Sequence, residues 1–244
     1  MNESVIYLPQ VGSTNAWAKE NIAQFGPVGA VYTTDQTAGR GRLGRGWVDA
    51  PGKGLYYTAV IKTDLAQPST LPLFASLAVC DALKQRYGID CQIKWPNDLL
   101  MNGKKIVGIL CEVAPDGHSL VVGIGINLAQ PQSYFDAMAL PHGTSLALQG
   151  IAVDPAADAA ALAESMTNFG FDRALYGFER EGFAAIRDAY KARCVNLGRH
   201  VTFDGGEGTA LDVDEEGRLV VQGAEGSTHV FTGEVSVHGI YGAV

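Results

Sequence analysis

The spacing of apolar residues switches several times along the chain between a period of two and a period near 3.6. Alternating or continuous apolar runs predict strands at residues 5–8, 30–34, 55–61, 93–95, 99–101, 106–113 and 120–128. Helical spacing predicts helices over about 14–25, 72–87, 155–169 and a further stretch ending near 192. Asn102-Gly103 predicts a tight hairpin turn, and residues 129–145 follow neither period.

Beyond about residue 194 the chain consists of short alternating segments. They cover residues 200–203, 210–213, 219–222, 229–231 and 234–237, with turns rich in Gly, Asp and Glu between them. This pattern predicts a small five-stranded β-barrel. We therefore expect a mixed helix-and-strand domain over residues 1–193 and a small β domain over residues 194–244.

Composition narrows the class of protein. Of 244 residues, 47% are hydrophobic and 18% charged, as in ordinary globular proteins, and the net charge of −8 disfavours nucleic acid as a partner. No secretory signal and no apolar run near 20 residues is present, so we expect a cytoplasmic protein with no membrane partner. Four irregularly spaced cysteines (Cys80, Cys91, Cys111 and Cys194) predict reduced, mostly buried thiols, and the scattered histidines predict no structural metal.

The first candidate site is a Gly/Arg loop, residues 36–47, with the sequence QTAGRGRLGRGW. The guanidinium fork of arginine matches carboxylate and phosphate oxygens, and alternating glycines let backbone N–H groups approach the same anion. A solvated basic loop and an arginine-rich nucleic-acid segment are alternatives. The flanking strands and the acidic remainder of the chain weaken both, but the residues alone leave the first alternative open beside a small anionic ligand.

The second candidate site is the corner Lys94-Trp95-Pro96-Asn97-Asp98 at the end of a predicted strand. Lys94 can neutralise charge that develops on a phosphate, and Asp98 can hold Mg²⁺ or accept a proton from an incoming amine. We expect Trp95 to pack in the core. For Asn97 and Asp98, ordinary turn chemistry is as compatible with the sequence as a functional role.

Four segments, GRGRLGRGW, KWPNDLL, KKIVGIL and GIGINL, together resemble the biotin–protein ligase family in order and spacing. Ser13-Thr14-Asn15 is similar to the early STN motif of that family, and the C-terminal strands are similar to its small Src-homology-3-like domain. The resemblance covers nearly the whole chain. It implies an α+β fold, in which a class II synthetase-like mixed β-sheet with helices packed on one side precedes a small Src-homology-3-like β-barrel.

The resemblance also implies an activity, the ATP-dependent biotinylation of a lysine on a biotin carboxyl carrier protein, as in acetyl-CoA carboxylase, through biotinyl-5′-AMP. Biotin is then the substrate, ATP and Mg²⁺ are co-substrates, and no cofactor is permanently bound. Because the first motif begins at Ser13, we expect the monofunctional type without a DNA-binding domain. The expected assembly is a monomer or a homodimer.

Site residues follow from matching the motifs of the family. The resemblance implies catalytic roles for Arg42, Lys94, Asp98 and Lys105. It implies biotin contacts for Ser13, Thr14, Asn15, Gln36, Arg40, Gly41, Arg42, Lys105, Gly108, Gly123 and Gly125. It implies nucleotide contacts for Arg40, Arg42, Arg45, Trp47, Lys94 and Asn127, and a possible Mg²⁺ near Asp98. Gly123 and Gly125 are expected to keep their strand clear of side chains where a ligand approaches.

Two departures from the family pattern concern the nucleotide. The tryptophan that relatives often carry in the loop after GxGIN is missing, with Tyr134 or Phe135 as substitutes, and His238 stands where some relatives have a basic residue.

Two other functions stay open, a lipoate or octanoate ligase or transferase of the same fold and a non-catalytic biotin sensor. The paired GRGRLGR and KWPND motifs favour biotin, and the four basic residues Arg40, Arg42, Lys94 and Lys105 favour an enzyme.

Overall fold

A seven-stranded mixed sheet forms the centre of the N-terminal part of the protein. The computed structural model describes residues 4–44, 46–47, 50–231 and 233–240. The strands are β1 (Val5–Tyr7), β2 (Val28–Thr33), β3 (Gly54–Ile61), β4 (Gln92–Lys94), β5 (Asp98–Met101), β6 (Lys104–Val113) and β7 (Leu120–Asn127). Their order is β1-β2-β3-β7-β6-β5-β4, with β1 and β2 parallel and the other neighbours antiparallel.

The helices begin and end at recognisable signals. They are α1 (Thr14–Glu20), α2 (Leu71–Tyr87), α3 (Gln132–Ala137), α4 (Pro155–Ser165), α5 (Ala174–Glu181) and α6 (Arg187–Lys191). Ser13 caps α1 and Asp154 caps α4, each accepting a hydrogen bond from a backbone N–H of the first turn. Gly88, at φ 71°, ends α2 in the left-handed conformation that glycine adopts easily. None of the helices in the described part of the chain is long and apolar enough to cross a membrane.

The first predicted helix is shorter than the apolar spacing suggests, and one segment predicted to be irregular contains a helix. The first ends at Glu20 and is followed by a 3-10 turn at Ile22–Gln24. The side chain of Asn21 donates a hydrogen bond to the carbonyl of Trp17 at 2.8 Å and so competes with the helical ladder. The segment 129–145 was predicted to be irregular, but it contains α3. Pro131, directly before that helix, is the start signal that the prediction missed.

The region after α4 also departs from the predicted continuous helices. A π-helix covers Met166–Arg173, and Gly170 lies so close to α2 that a Cβ there would be 3.1 Å from the Cβ of Ala78. Gly182, at φ 60°, then separates α5 from a 3-10 turn at Gly182–Ala185, and α6 follows. The two long helices that the sequence predicts are therefore interrupted, first by the π-helix packed against α2 and then by the left-handed Gly182.

The two faces of the sheet have different neighbours. The face that carries Ala59, Val122 and Ile124 packs in the main core with apolar residues of α2, α4 and α5. On the opposite face, α1 covers a smaller cluster that includes Val60 and Val121. The predicted fold class is confirmed, with the longer helices on one face and the short α1 on the other.

A five-stranded antiparallel sheet follows. Its strands are β8 (His200–Phe203), β9 (Gly206–Val213), β10 (Leu219–Gly223), β11 (Gly226–Val230) and β12 (Val235–Val237), in the order β11-β10-β9-β8-β12. Trp95 joins this sheet to the larger one, because its indole N–H donates to the carbonyl of Gly217 at 3.0 Å. Trp95 is 2% exposed, so its predicted core role is confirmed. Cys80, Cys91 and Cys194 are buried, Cys111 is partly buried, and all four are free thiols.

Candidate functional site

A cavity of about 590 Å³ lies on the α1 side of the sheet. Its walls are α1, the Gly/Arg loop, the 94–98 corner, the segment around α3, and residues 233–236 before and within β12. It brings together the predicted site residues that the structure describes, namely Ser13, Thr14, Asn15, Gln36, Arg40, Gly41, Arg42, Trp47, Lys94, Asp98, Lys105, Gly108, Gly123, Gly125 and Asn127. Arg45, predicted as a nucleotide contact, lies outside the described residues.

Ser13, Thr14 and Asn15 reach the cavity because α1 begins there. The backbone N–H of Thr14 and its hydroxyl both donate to Oε1 of Gln36, at 2.9 and 3.2 Å. Gln36 in turn lies at a parallel β-bridge with Val11, just before the Gly/Arg loop. The loop and the start of the helix are thereby joined by hydrogen bonds, although they are more than 20 residues apart.

Asn15 is held by a polar network that sequence reasoning did not include. Its side-chain N–H donates to Glu112 at 2.8 Å, and its oxygen accepts from the hydroxyl of Thr58 at 2.6 Å. Lys19 donates to the second oxygen of Glu112 at 2.6 Å. Burial alone would raise the pKa of Glu112, but the hydrogen bonds from Lys19 and Asn15 outweigh it, and the pKa lies below its usual value. A glutamate within the apolar run 106–113 of strand β6 was the available signal.

The glycines of β6 and β7 make room for protein side chains. A Cβ at Gly123 would lie 2.3 Å from Oδ1 of Asn15. A Cβ at Gly125 or Gly108 would lie 2.6 or 2.5 Å from ring atoms of Trp47. The expectation that Gly123 and Gly125 keep their strand clear of side chains is therefore corrected, because Asn15 and Trp47 occupy that space and themselves line the cavity.

The 94–98 corner positions two opposite charges side by side. Lys94 ends β4 and Asp98 begins β5, and the two residues are partners in the antiparallel ladder, so their side chains leave the sheet on the same face. Trp95 between them lies in the core. Asn97 donates to the carbonyl of Ile109 at 3.0 Å and accepts from Arg42, which links the corner to the Gly/Arg loop.

Basic side chains crowd this end of the cavity. Lys105 forms an ion pair with Asp98 at 2.6 Å, and its ammonium lies 5.5 Å from the centre of the Trp47 ring. Burial lowers the pKa of Lys94; the neighbouring Lys105 and Arg42 lower it further, and Asp98 offsets part of the shift. Arg40 and Arg42 line the same cavity, so its electrostatic character favours a ligand with several negative charges.

The C-terminal sheet contributes to the cavity through residues 233–236. Arg42 donates to the carbonyl of Gly233 at 3.1 Å as well as to Asn97 at 2.7 Å, so its guanidinium bridges the two sheets. His238 is exposed and lies edge-on to His200, with ring centres 4.8 Å apart, and it is not among the residues that line the cavity. The residues of the C-terminal part that line the cavity, which sequence reasoning missed, are therefore those before His238.

Two further predicted contacts are already engaged with the protein. The amide of Asn127 donates to the carbonyl of Thr144 at 3.0 Å and accepts from Gln130 at 3.1 Å. Phe135 is 1% exposed and Tyr134 packs edge-on against it, with both residues at the cavity wall. These contacts hold the segment after β7 in place as part of the cavity wall.

Among the described residues there is no group of three or more His, Cys, Asp and Glu side chains that could hold a metal ion. Asp98 is a carboxylate of the cavity wall, and it is already paired with Lys105. A divalent cation that bound Asp98 would have to compete with an ammonium group in contact with the same carboxylate.

Comparisons with known proteins agree with this geometry. Residues 7–128 match the model of the biotin/lipoate A/B protein ligase family, and residues 197–237 match the biotin protein ligase C terminal domain. The chain is 34% identical to the biotin–[acetyl-CoA-carboxylase] ligase of Paracoccus denitrificans, over 93% of this chain and 98% of that protein. It is 31% identical to the bifunctional ligase/repressor BirA of Bacillus subtilis, over 97% of this chain and 75% of that protein.

Comparison of the fold with solved structures also points to biotin protein ligases. The structure is similar to biotin protein ligase from Aquifex aeolicus in complex with biotin and ATP, with a TM-score of 0.79 and 28% identity over 96% of this chain and 98% of that chain. Since both parts of the chain match the corresponding family models, the chain belongs to the biotin/lipoate A/B protein ligase family, and within it to the biotin protein ligases.

Proposed function

We propose that this protein attaches biotin to a lysine of a carboxylase carrier domain in two steps, the first of which consumes ATP. In the first, a carboxylate oxygen of biotin attacks the α-phosphorus of ATP, and pyrophosphate leaves. In the second, the lysine amine attacks the acyl carbon of biotinyl-5′-AMP, an amide bond forms, and AMP leaves with the former carboxylate oxygen. Because ATP supplies the activation, the protein needs no covalent nucleophile.

The observation that carries this proposal is the convergence of four basic side chains, Arg40, Arg42, Lys94 and Lys105, on one cavity with the Ser13-Thr14-Asn15 end of α1. Such an arrangement offers a polar end for a neutral ring system and a cationic end for a carboxylate and a phosphate chain. Its volume of about 590 Å³ lies within the usual range of small-molecule sites.

In the adenylation step, the cationic end would act by electrostatic stabilisation. Arg42 and Lys105 are positioned on either side of the 94–98 corner, through Asn97 and Asp98 respectively. The negative charge that develops on the α-phosphate and the leaving pyrophosphate would lie among these groups and Lys94. Because Lys94 is partly buried, an anion arriving beside it would favour the charged form of the ammonium that burial disfavours, and solvent would screen their attraction less than at an exposed lysine.

In the transfer step, Asp98 is our candidate to accept the proton of the incoming lysine. It is 9% exposed, so it is shielded from solvent at the cavity wall. The ion pair with Lys105 holds its carboxylate near the reacting end. The same two residues would therefore serve successive steps, Lys105 on the phosphate and Asp98 on the amine.

The Mg²⁺ that accompanies ATP is held mainly by phosphate oxygens in many nucleotide sites. The Lys105–Asp98 ion pair does not fit a dedicated metal site at Asp98, so no step is assigned to a metal held by the protein. We also propose residues 1–193 as the ligase domain and residues 194–244 as a small second domain. The approach of residues 233–236 to the cavity supports a role for the second domain in nucleotide binding.

The proposal is tested by titrating the protein with biotin in a calorimeter, adding Mg-ATP, and then analysing a biotin carboxyl carrier domain by mass spectrometry. We expect biotin binding and the mass of one biotinyl group on one lysine of the carrier. Binding without adenylate formation would instead identify a biotin sensor. Absence of biotin binding combined with binding of lipoate or octanoate would identify a ligase or transferase for those acids.

A further inference from the structure

Hydrogen bonds hold the side-chain amide of Asn15 at both its nitrogen and its oxygen. It is 5% exposed and lies across the face of β7 at Gly123, where no Cβ is present to displace it. Its nitrogen faces Glu112, and its oxygen faces Thr58. Both partners belong to strands of the central sheet, so the sheet holds the amide in place. Asn15 also lines the cavity.

The chemistry of the two partners determines which way round the amide lies. An ionised carboxylate only accepts hydrogen bonds, and Glu112 is kept ionised by Lys19. The nitrogen of Asn15 must therefore face Glu112. Its oxygen then faces Thr58, whose hydroxyl can donate to it. The second N–H of Asn15 points toward the carbonyl of Leu110, at 3.4 Å.

We propose that Glu112 and Thr58 are positioning residues that make Asn15 a hydrogen-bond acceptor, and not a donor, toward the cavity. The oxygen of an amide has two lone pairs, and Thr58 uses one of them. The site then selects a ligand whose ring presents an N–H group. The inference rests on the proposed function and refines it: the ureido ring of biotin carries N–H donors, whereas the dithiolane of lipoate and the alkyl chain of octanoate carry none.

A site built around a fixed acceptor discriminates strongly, because a ligand without the matching donor leaves a buried polar group unpaired. None of the residues that set this orientation belongs to the basic end of the cavity. We therefore expect the network of Lys19, Glu112, Asn15 and Thr58 to govern which acid is accepted. Its loss should leave the chemistry of adenylation intact once the acid is bound.

The test uses a pair of substitutions at Thr58 in the full-length protein. Thr58→Val removes the hydroxyl and keeps the shape, whereas Thr58→Ser keeps the hydroxyl. We expect Thr58→Val to weaken biotin binding by about tenfold to a hundredfold, measured as Kd by calorimetry, and Thr58→Ser to bind nearly as the unmodified protein does. The KM for ATP and the rate at saturating biotin should change little, and the preference for biotin over lipoate should fall.

Glu112→Gln is the second probe, because its amide still offers one oxygen to Asn15 but loses the ion pair with Lys19. We expect a smaller weakening than with Glu112→Ala. In a protein that already carries Asn15→Ala, the Thr58 and Glu112 substitutions should have no further effect on biotin binding, because both act through Asn15. A purely structural role would instead weaken binding equally in both backgrounds.

Thermal unfolding verifies that each variant is folded. If folded Thr58→Val binds biotin as tightly as the unmodified protein, or if its effect persists in the Asn15→Ala background, the inference is wrong and the proposed function is untouched. If the unmodified protein does not bind biotin at all, the proposed function and this inference are both overturned.

Discussion

Successive residues of β7 alternate between two faces of the sheet that have opposite characters. Val122, Ile124 and Ile126 are buried in the main core beneath the longer helices. Gly123 and Gly125, on the other face, leave space for Asn15 and Trp47. The same strand therefore carries large apolar side chains on one face and glycines on the other. The sheet can therefore be a stable platform and, on its opposite face, the floor of a ligand cavity.

Residues for stability and residues for function lie on opposite faces of the sheet. On the helix side, burial of apolar side chains supplies the folding free energy. On the cavity side, the charged groups Lys94, Asp98 and Lys105 lie together, and Asp98 offsets only part of the cost of burying the ammonium of Lys94. Substitutions on the two faces should consequently affect different measurements.

The largest effect is expected at the basic end of the cavity. Lys105→Ala removes an ammonium from the proposed reaction centre, and adenylate formation should fall by about 100-fold to 1000-fold. Biotin-dependent exchange of pyrophosphate with ATP measures this step. Lys104→Ala is a matched control, because Lys104 is the adjacent, exposed residue and is not among those lining the cavity. Equal activities of the two variants would contradict the assignment of Lys105.

The second prediction compares neighbouring residues on the two faces of β7. Ile124→Ala removes a side chain that is 2% exposed, and the free energy of unfolding should fall by about 2–5 kcal/mol. Gly125→Ala adds a Cβ that would lie 2.6 Å from Trp47, so the indole must move into the cavity. We expect a smaller loss of stability but clearly weaker ligand binding. Denaturant unfolding and biotin titration of both variants separate the two effects, and the same ranking in both measurements would refute the division of roles.

The third prediction concerns the connection between the two sheets. Trp95→Phe keeps the aromatic packing but removes the hydrogen bond to the carbonyl of Gly217, and it should cost about 1–3 kcal/mol because that carbonyl loses its partner in the protein interior. Since residues 233–236 line the cavity, nucleotide binding should weaken more than biotin binding. Hydrogen exchange of β10 and calorimetric titration with nucleotide measure the two effects. Unchanged exchange would contradict the role of Trp95 in holding the C-terminal sheet.

The smallest effect is expected from pH. Because burial lowers the pKa of Lys94, its ammonium loses the proton at lower pH than an exposed lysine does. If the charge is needed, adenylate formation should decline as pH rises through this lowered pKa. Lys94→Arg should retain activity to higher pH, because arginine stays protonated. A pH profile of pyrophosphate exchange that is identical for the two proteins would contradict a requirement for the charge of Lys94.

Much of the fold could be predicted because its signals are local. The Asn102-Gly103 hairpin is confirmed, with φ of 51° and 73°, because few residues other than Asn and Gly accept these angles. The helix predicted to begin at Asp154-Pro155 is confirmed, but the prediction of two continuous helices up to about residue 192 was wrong. The π-helix with Gly170 against Ala78 depends on a neighbouring helix, and apolar spacing within one segment carries no information about such a contact.

The candidate site was predicted only in part, for a similar reason. The motifs identified residues of α1, the Gly/Arg loop and the 94–98 corner, which carry characteristic side chains. Thr58 and Glu112 lie inside strands, and their importance comes from what they contact, which is Asn15 from a different element. Such long-range contacts leave no motif in the chain.

By itself, the sequence determined which chemical groups the protein has available. It determined the alternation that builds both sheets, the turn at Asn102-Gly103, and the arginines and lysines suited to an anionic ligand. The tertiary structure alone decided how those groups face one another: the glycines of β7 are filled by Asn15 and Trp47, and Arg42 reaches the carbonyl of Gly233. Side-chain identity is a local property, whereas burial, charge pairing and orientation arise only when distant segments pack together.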